Sequence, residues 1–290
     1  MNEREEDDPY HGLDAETREA LRLSRSDLTA RLSGRAEIFA DNSAMISAFA
    51  DLILQDFRAA LEAGREHVLM ICPVGPVGQY DLLSARCRDE GISLNRLTLL
   101  IMDEYLTDAG AWIAADDPLS FRGHMARALS DLPEDLRPEV VVPDPADTTA
   151  VPALIESMGG VDVTYAGVGI TGHLAFNDPI PGRDAPEFLA SLPTRIVALT
   201  TETRLINSVT AARGNAERIP RLAVTVGMKE ILSARRLRIF MNRDWQCAAI
   251  RRLAYGPVTG AFPASLVQNH PEWSLHLVDL VLDPAEPGLR

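Results

Sequence analysis

From Asp41 onward, short apolar runs alternate with longer amphipathic stretches. "DNSAMISAFADLILQDFRAALEAG" sets Phe49, Leu52, Ile53, Phe57, Ala60 and Leu61 on one helical face, with Asn42 and Ser43 as capping residues and Gly64 as the stop. "HVLMIC" is apolar and too short for a helix, so it reads as a buried strand running into the loop "PVGPVG" (73–78). "QYDLLSARCRDEG" then reads as a helix and "RLTLLIM" as a second buried strand, ending at Asp103. "EVVVP" (139–143), "VDVTYAGVG" (161–169), "TRIVALT", "LRIFM" and "SLHLVDLVL" predict further strands, and "VPALIESMGG" predicts a helix between the first two of these. "PRLAVTVGMKEILSA" and "DWQCAAIRRLAYG" read as helical or mixed segments.

Apolar strands alternating with amphipathic helices predict an α/β fold with a mainly parallel sheet covered on both faces. Residues 1–35 lack the pattern and read as a polar, acid-rich extension, packed outside or partly mobile. With no internal repeat, low-complexity tract or linker after them, residues 36–290 are expected to form a single domain. Ligands of such sheets bind beyond the carboxyl ends of the strands. Three polar clusters fall there: the loop 73–78, Asp103, and "GVGITGHLAFNDP" (167–179).

Composition narrows the partners. A net charge of −14 over 290 residues argues against nucleic acid, because nothing would neutralise a phosphate backbone. A small anionic ligand needs only a few local cations and stays open. Three cysteines (Cys72, Cys87, Cys247), none in ligand-like spacing, read as buried thiols of a reducing compartment. No apolar run approaches the ~20 residues that span a bilayer, and "MNEREEDDPYHG" lacks the basic start and apolar stretch of a signal peptide. The expectation is a cytoplasmic protein with no membrane partner.

Five motifs then occur in order: "MDEY" (102–105), "GHLAFNDP" (172–179), "TRLINS" (203–208), "IPRLAVTVGMKEIL" (219–232) and "LVQNHP" (266–271). Together, over roughly residues 40–282, they resemble the glucosamine-6-phosphate deaminase (isomerising) family, which is related to the 6-phosphogluconolactonases. "GHLAFNDP" is similar to the sugar-isomerase pattern GHIAFNEP, whereas lactonases continue differently after Gly-His. The resemblance implies a Rossmann-like three-layer α/β/α fold, a sugar-phosphate substrate, frequently a homo-oligomer, and neither a metal nor an organic cofactor.

The chemistry so implied assigns roles. Ring opening needs a group that takes a proton from the anomeric hydroxyl, and the imidazole of His173 suits that near neutral pH. Asp178 occupies the position of a carboxylate that fixes and charges such a histidine. The proton shuttle between C2 and C1 needs a carboxylate at the sugar edge, and Asp103, closing its strand, fits. Arg204 and Arg221 resemble the family's phosphate-binding Arg and Lys, and guanidinium groups suit phosphate through paired hydrogen bonds. Gly75, Gly78 and Gly172 permit close backbone approach to a ligand.

Two departures stand out. The family's phosphate loop usually carries Ser or Thr, but "PVGPVG" offers Val74 and Val77, and Pro76 removes an N–H donor. The family's Asp before Gly-His is Thr171, which binds by hydrogen bonds but holds no charge, and its Glu is shortened to Asp178. The reading is therefore an amino-sugar-phosphate deaminase/isomerase with a refitted site. The alternatives are a non-deaminating isomerase of another acidic sugar, a lactonase-like hydrolase, and a non-catalytic sugar-phosphate sensor.

Overall fold

The structure, a computed structural model, describes residues 10–285. Its strands, in chain order, are β1 (Ala36–Phe39), β2 (Val68–Cys72), β3 (Leu97–Ile101), β4 (Asp103–Leu106), β5 (Glu139–Val141), β6 (Val163–Gly167), β7 (Arg195–Ala198), β8 (Leu222–Thr225), β9 (Arg236–Met241) and β10 (Trp273–Val278). Seven of them form one sheet in the order β1-β10-β9-β6-β2-β3-β5. Every adjacent pair in it is parallel. The predicted α/β class and three-layer arrangement are what the chain adopts.

Alternation along the strands divides the core in two. Leu69, Ile71, Leu100 and Ile239 face one side, where Ile250 and Leu253 of the helix Cys247–Tyr255 cover them. Val68, Met70, Leu99 and Ile101 face the other, under Met45, Phe49, Ile53 and Phe57 of the helix Asn42–Glu62. Phe49 stacks on Phe240 with ring centroids 4.0 Å apart. Each such side chain contributes about 1.5–3 kcal/mol by leaving water, which is why strands this apolar settle between two helical layers. The long helix is capped one residue earlier than predicted: Asp41, not Asn42 or Ser43, accepts the Ala44 N–H at 2.9 Å.

The remaining strands form a separate antiparallel sheet, β4-β8-β7, which the sequence pattern did not suggest. "TRIVALT" supplies β7 to this small sheet rather than to the large one. One face of β7 is open to solvent, with Ile196 43% exposed, as an antiparallel strand tolerates.

The 1–35 stretch carries two short helices, Ala15–Leu21 and Arg25–Arg31, and Leu28 and Leu32 sink into the first cluster. The buried guanidinium of Arg251 ties them down by donating to the carbonyls of Leu23, Cys247, Leu282 and Asp283. No helix among the described residues is long and apolar enough to cross a membrane.

The chain order sets the site. From β2 it proceeds through β3 to β5 on one side, then returns to β6 and continues through β9 to β10 on the other. The strand order therefore reverses between β2 and β6, and a crevice opens beyond their carboxyl ends.

Candidate active site

A cleft of about 330 Å³ occupies that crevice. The loop 73–77 after β2 lines one wall, Gly167–Gly169 after β6 the middle, and Asn242–Gln246 after β9 the opposite wall. Asp103 and His173 both open into it. Two roomier hollows, one around Arg18 and Arg22 and one around Trp112 and Arg137, hold neither a histidine nor a buried carboxylate.

Asp103 begins β4, one residue after the chain leaves the large sheet. Met102 joins the two sheets: its N–H donates to Cys72 and its carbonyl accepts from Val226. Asp103 is 7% exposed, and its carboxylate accepts no hydrogen bond from another described residue. Burial pushes that carboxyl up to about 8, and the charge of adjacent Glu104 adds to the rise. Glu104 itself is fully buried, and its carboxylate accepts from the N–H groups of Tyr105, Phe121 and Arg122 and from the Ser120 hydroxyl, between 2.8 and 3.1 Å.

His173 is held by a tight turn. The Gly172 N–H donates to Gly169 and the Gly169 N–H to His173, each at 2.9 Å. A Cβ on Gly169 would lie 1.8 Å from His173 Nε2, so only glycine lets the ring lie there. Gly172 has φ +81°, and a Cβ there would also strike the Phe262 ring at 2.4 Å. Three residues on, Ala175 holds φ 53°, a left-handed conformation costing a non-glycine residue about 1–2 kcal/mol. The buried Asn177 amide offsets that by donating to the carbonyls of Leu174 and Val226.

Behind the imidazole stands a hydroxyl-lined corner. His173 Nδ1 is 2.7 Å from Asp178 Oδ1, and Thr171 and Thr203 donate to the same oxygen at 2.6 and 2.8 Å. Thr200 reaches the other carboxylate oxygen at 3.3 Å. Burial by itself would raise the Asp178 carboxyl, but the hydrogen bond and charge of His173, with the two hydroxyls, hold it at about 2. With Nδ1–H directed at a carboxylate, the lone pair of the neutral ring lies on Nε2, the nitrogen beside Gly169.

The predicted residues separate accordingly. Asp103, His173 and Gly75 line one cleft, and Asp178 supports the histidine from behind. Thr171 spends its hydroxyl on Asp178, and its oxygen lies 2.9 Å from His173 Nδ1; it does not line the cleft. Gly78 caps the helix Gln79–Glu90 at φ 116°, just outside. Arg204 lies one helical turn before Asn207, which does line the cleft, and its Nε is buried without a hydrogen-bond partner. Arg221 is exposed ahead of β8. Neither arginine borders the cleft.

Thr200, Thr203, Asn207, Arg243 and Trp245 were not singled out from sequence. Arg243 and Trp245 follow "LRIFM", so the strand-end rule that selected Asp103 would have selected them. Thr203 and Asn207 lie in the quoted motif "TRLINS", whereas Thr200 carries no comparable signal. Among the described residues no cluster of His, Cys, Asp and Glu is arranged to hold a metal ion.

No protein-family profile matches the chain. It is 30% identical over 233 residues to a glucosamine-6-phosphate deaminase of Porphyromonas gingivalis, a match covering 76% of this chain and 82% of that protein. It is 32% identical over 209 residues to a glucosamine-6-phosphate deaminase of Hahella chejuensis, covering 70% of this chain and 74% of the relative. In three dimensions, 85% of the chain matches 98% of a monomeric glucosamine-6-phosphate deaminase at a TM-score of 0.71 and 21% identity. A 6-phosphogluconolactonase from Trypanosoma brucei follows the same fold over 86% of the chain and 98% of its own, with a TM-score of 0.62 and 15% identity.

Proposed function

The chain belongs to the glucosamine-6-phosphate deaminase family, and from that premise we propose that it converts an amino-sugar phosphate of the glucosamine 6-phosphate type to the ketose phosphate and ammonia. One observation carries the reading: the cleft at the switch point holds a strand-end carboxylate, Asp103, together with an imidazole, His173, whose far nitrogen is fixed by Asp178.

His173 Nε2 takes the proton of the anomeric hydroxyl as the bond from C1 to the ring oxygen breaks, and the imidazolium returns that proton to the ring oxygen. Asp178, ionised and held by His173 and the hydroxyls of Thr171, Thr200 and Thr203, stabilises the charged ring meanwhile. Asp103 then removes the proton from C2 and delivers it to C1 while the C1 carbonyl oxygen takes a proton from the ammonium group, so that C1 becomes an alcohol and C2 an iminium. Water hydrolyses the iminium to the ketone and releases ammonia. Each positioned acid or base of this kind is worth roughly 10²- to 10⁴-fold.

The raised value of Asp103 suits an amino sugar. A buried carboxyl near 8 is largely protonated at neutral pH, and an ammonium group arriving beside it favours the ionised form the C2 step requires. A sugar phosphate without the amine brings no such cation. Both products should therefore be assayed, ketose and ammonia, from glucosamine 6-phosphate and glucose 6-phosphate across pH. The expected outcome is equal ketose and ammonia from the amino sugar, little turnover of glucose 6-phosphate, and a kcat/KM that rises as pH passes through about 8. Ketose without ammonia would replace this reading with the non-deaminating isomerase.

A further inference from the structure

We propose that the hollow around Trp112 and Arg137, at the β5 edge of the large sheet, is a second ligand site, built for a small organic carboxylate with an apolar body. It shares no lining residue with the active cleft, and the proposed reaction does not use it.

The walls are apolar because of how the chain turns its side chains there. β5 is the last strand of its sheet, and side chains alternate along it. Glu139 accepts from the Thr98 hydroxyl at 2.9 Å, and Val141 packs on the first core cluster. Pro138, Val140 and Val142 share the other face and line the hollow. Met125 of the helix Phe121–Ala128, and Leu129 just after it, close the space from the far side. The Trp112 indole completes the wall. Its N–H donates to the Pro143 carbonyl at 2.9 Å, which fixes the ring with its polar edge already satisfied. The space is about 440 Å³, the size of a small-molecule site.

Two cations stand on that apolar wall. Arg122 and Arg137 are the charged residues lining the hollow, and no carboxylate borders it. Neither guanidinium pairs with a carboxylate among the described residues, in a chain of net charge −14. Arg137 is held by donating to the carbonyls of Leu132 and Ser130 at 2.6 and 2.7 Å. Arg122 lies over Trp112, 4.9 Å from the ring centroid, and donates to the Ile113 carbonyl at 2.9 Å. Its Nε is buried with no hydrogen-bond partner among the described residues, a donor that an arriving acceptor would satisfy.

This donor set selects the ligand. Guanidinium groups hold a carboxylate through charge-assisted hydrogen bonds, and the valines, Met125, Leu129 and the indole take up a hydrocarbon or aromatic body. A sugar phosphate does not suit the hollow. Beyond the two arginines no lining side chain has an uncommitted polar group, so the sugar hydroxyls would leave water without compensation.

The test uses the full chain and 4-phenylbutyrate, with neutral 4-phenylbutanamide as its isostere and calorimetry as the readout. The parent should bind the carboxylate saturably, with a Kd below about 1 mM. The amide should bind about ten- to hundredfold more weakly, the loss that goes with hydrogen bonds to a charged group. Arg122→Met and Arg137→Met should each weaken 4-phenylbutyrate by about tenfold. Both variants keep the Phe121 and Arg122 N–H groups that hold Glu104, so the loss reports the guanidinium. Saturating glucitol 6-phosphate, an open-chain sugar phosphate with no carbonyl to react, should not displace the carboxylate. Absent binding, equal affinity for acid and amide, displacement by glucitol 6-phosphate, or unchanged binding in both arginine variants overturns the inference. So does self-association of the parent that either variant abolishes while no carboxylate binds, which would make the hollow an interface between copies of this chain.

Discussion

Asp103 and Asp178 are equally hidden, at 7% and 8% exposure, yet their carboxyls are driven in opposite directions, to about 8 and about 2. Burial is the largest influence on each and raises both; partners decide the outcome. Asp103 has an apolar strand end and a second carboxylate beside it, whereas Asp178 has an imidazole and threonine hydroxyls. One corner keeps a proton available to exchange, and the other keeps a charge permanently in place. Divergent environments for two acids in one site are how a single fold supplies both a proton carrier and an electrostatic support.

The sharpest way to break this contrast is to remove the Asp103 carboxyl, the proton carrier of the proposed reaction. Asp103→Asn keeps the shape and abolishes the titration, so turnover of glucosamine 6-phosphate should fall by at least about 10²-fold while glucitol 6-phosphate still binds. A rate above about a tenth of the parent's, on the same assumption, would assign the C2 proton to another group.

Stability should separate the two acids in sign. A folded value near 8 means that Asp103 holds a proton its unfolded counterpart has lost between pH ~4 and ~8, so the parent loses stability as pH rises through that window. Asp103→Asn escapes the loss, and its stability advantage, read as a higher Tm, should widen up to pH ~8, where it amounts to a few kcal/mol. Asp178, held at about 2, contributes stability that is present above pH ~4 and lost as pH falls from there toward 2. Asp178→Asn should therefore lower stability at neutral pH by on the order of 2 kcal/mol, seen as a lower Tm, with the deficit narrowing in acid. Melting curves of both variants from pH 3 to 9 check this, and shifts of the same sign would refute the contrast.

The smallest effect comes from thinning the hydroxyl corner. Thr203→Val and Thr171→Val each remove one donor from Asp178 Oδ1 at nearly constant volume. Each should cost about 1 kcal/mol and several-fold in kcat, with KM held. Should KM rise and kcat hold instead, the hydroxyl concerned would be binding substrate rather than the carboxylate.

The strand ends and their polar residues could be read in advance because apolar runs and their terminators are local. Asp103 closes one such run, and His173 and Asp178 lie five positions apart on a turn that glycine makes unavoidable. The threonines at 200 and 203 meet Asp178 only through the packing of a distant helix, which no local pattern reports. The small sheet escaped notice because β4 and β7 are four residues long, too short for alternation to distinguish parallel from antiparallel neighbours. Arg204 and Arg221 were selected by motif position, and the fold brings a different arginine to the cleft. The opposed acidities of Asp103 and Asp178 are a property of assembled neighbours and have no counterpart along the chain.

Met102 has a consequence for the lifetime of the assembled site. Its N–H belongs to the large sheet and its carbonyl to the small one, so Asp103 rides on the lesser body. Three short strands melt at lower free energy than seven flanked by helices. Transient fraying of β4 from β8 would withdraw Asp103 from the cleft and, through Thr225, loosen the Phe176 backbone next to the imidazole's turn. Amide exchange at Glu104 and Val224, paired across β4 and β8, should then outpace that at Met70 and Leu99, and the fraction of time the enzyme is competent would be set by its smallest sheet while the rest of the molecule stays folded.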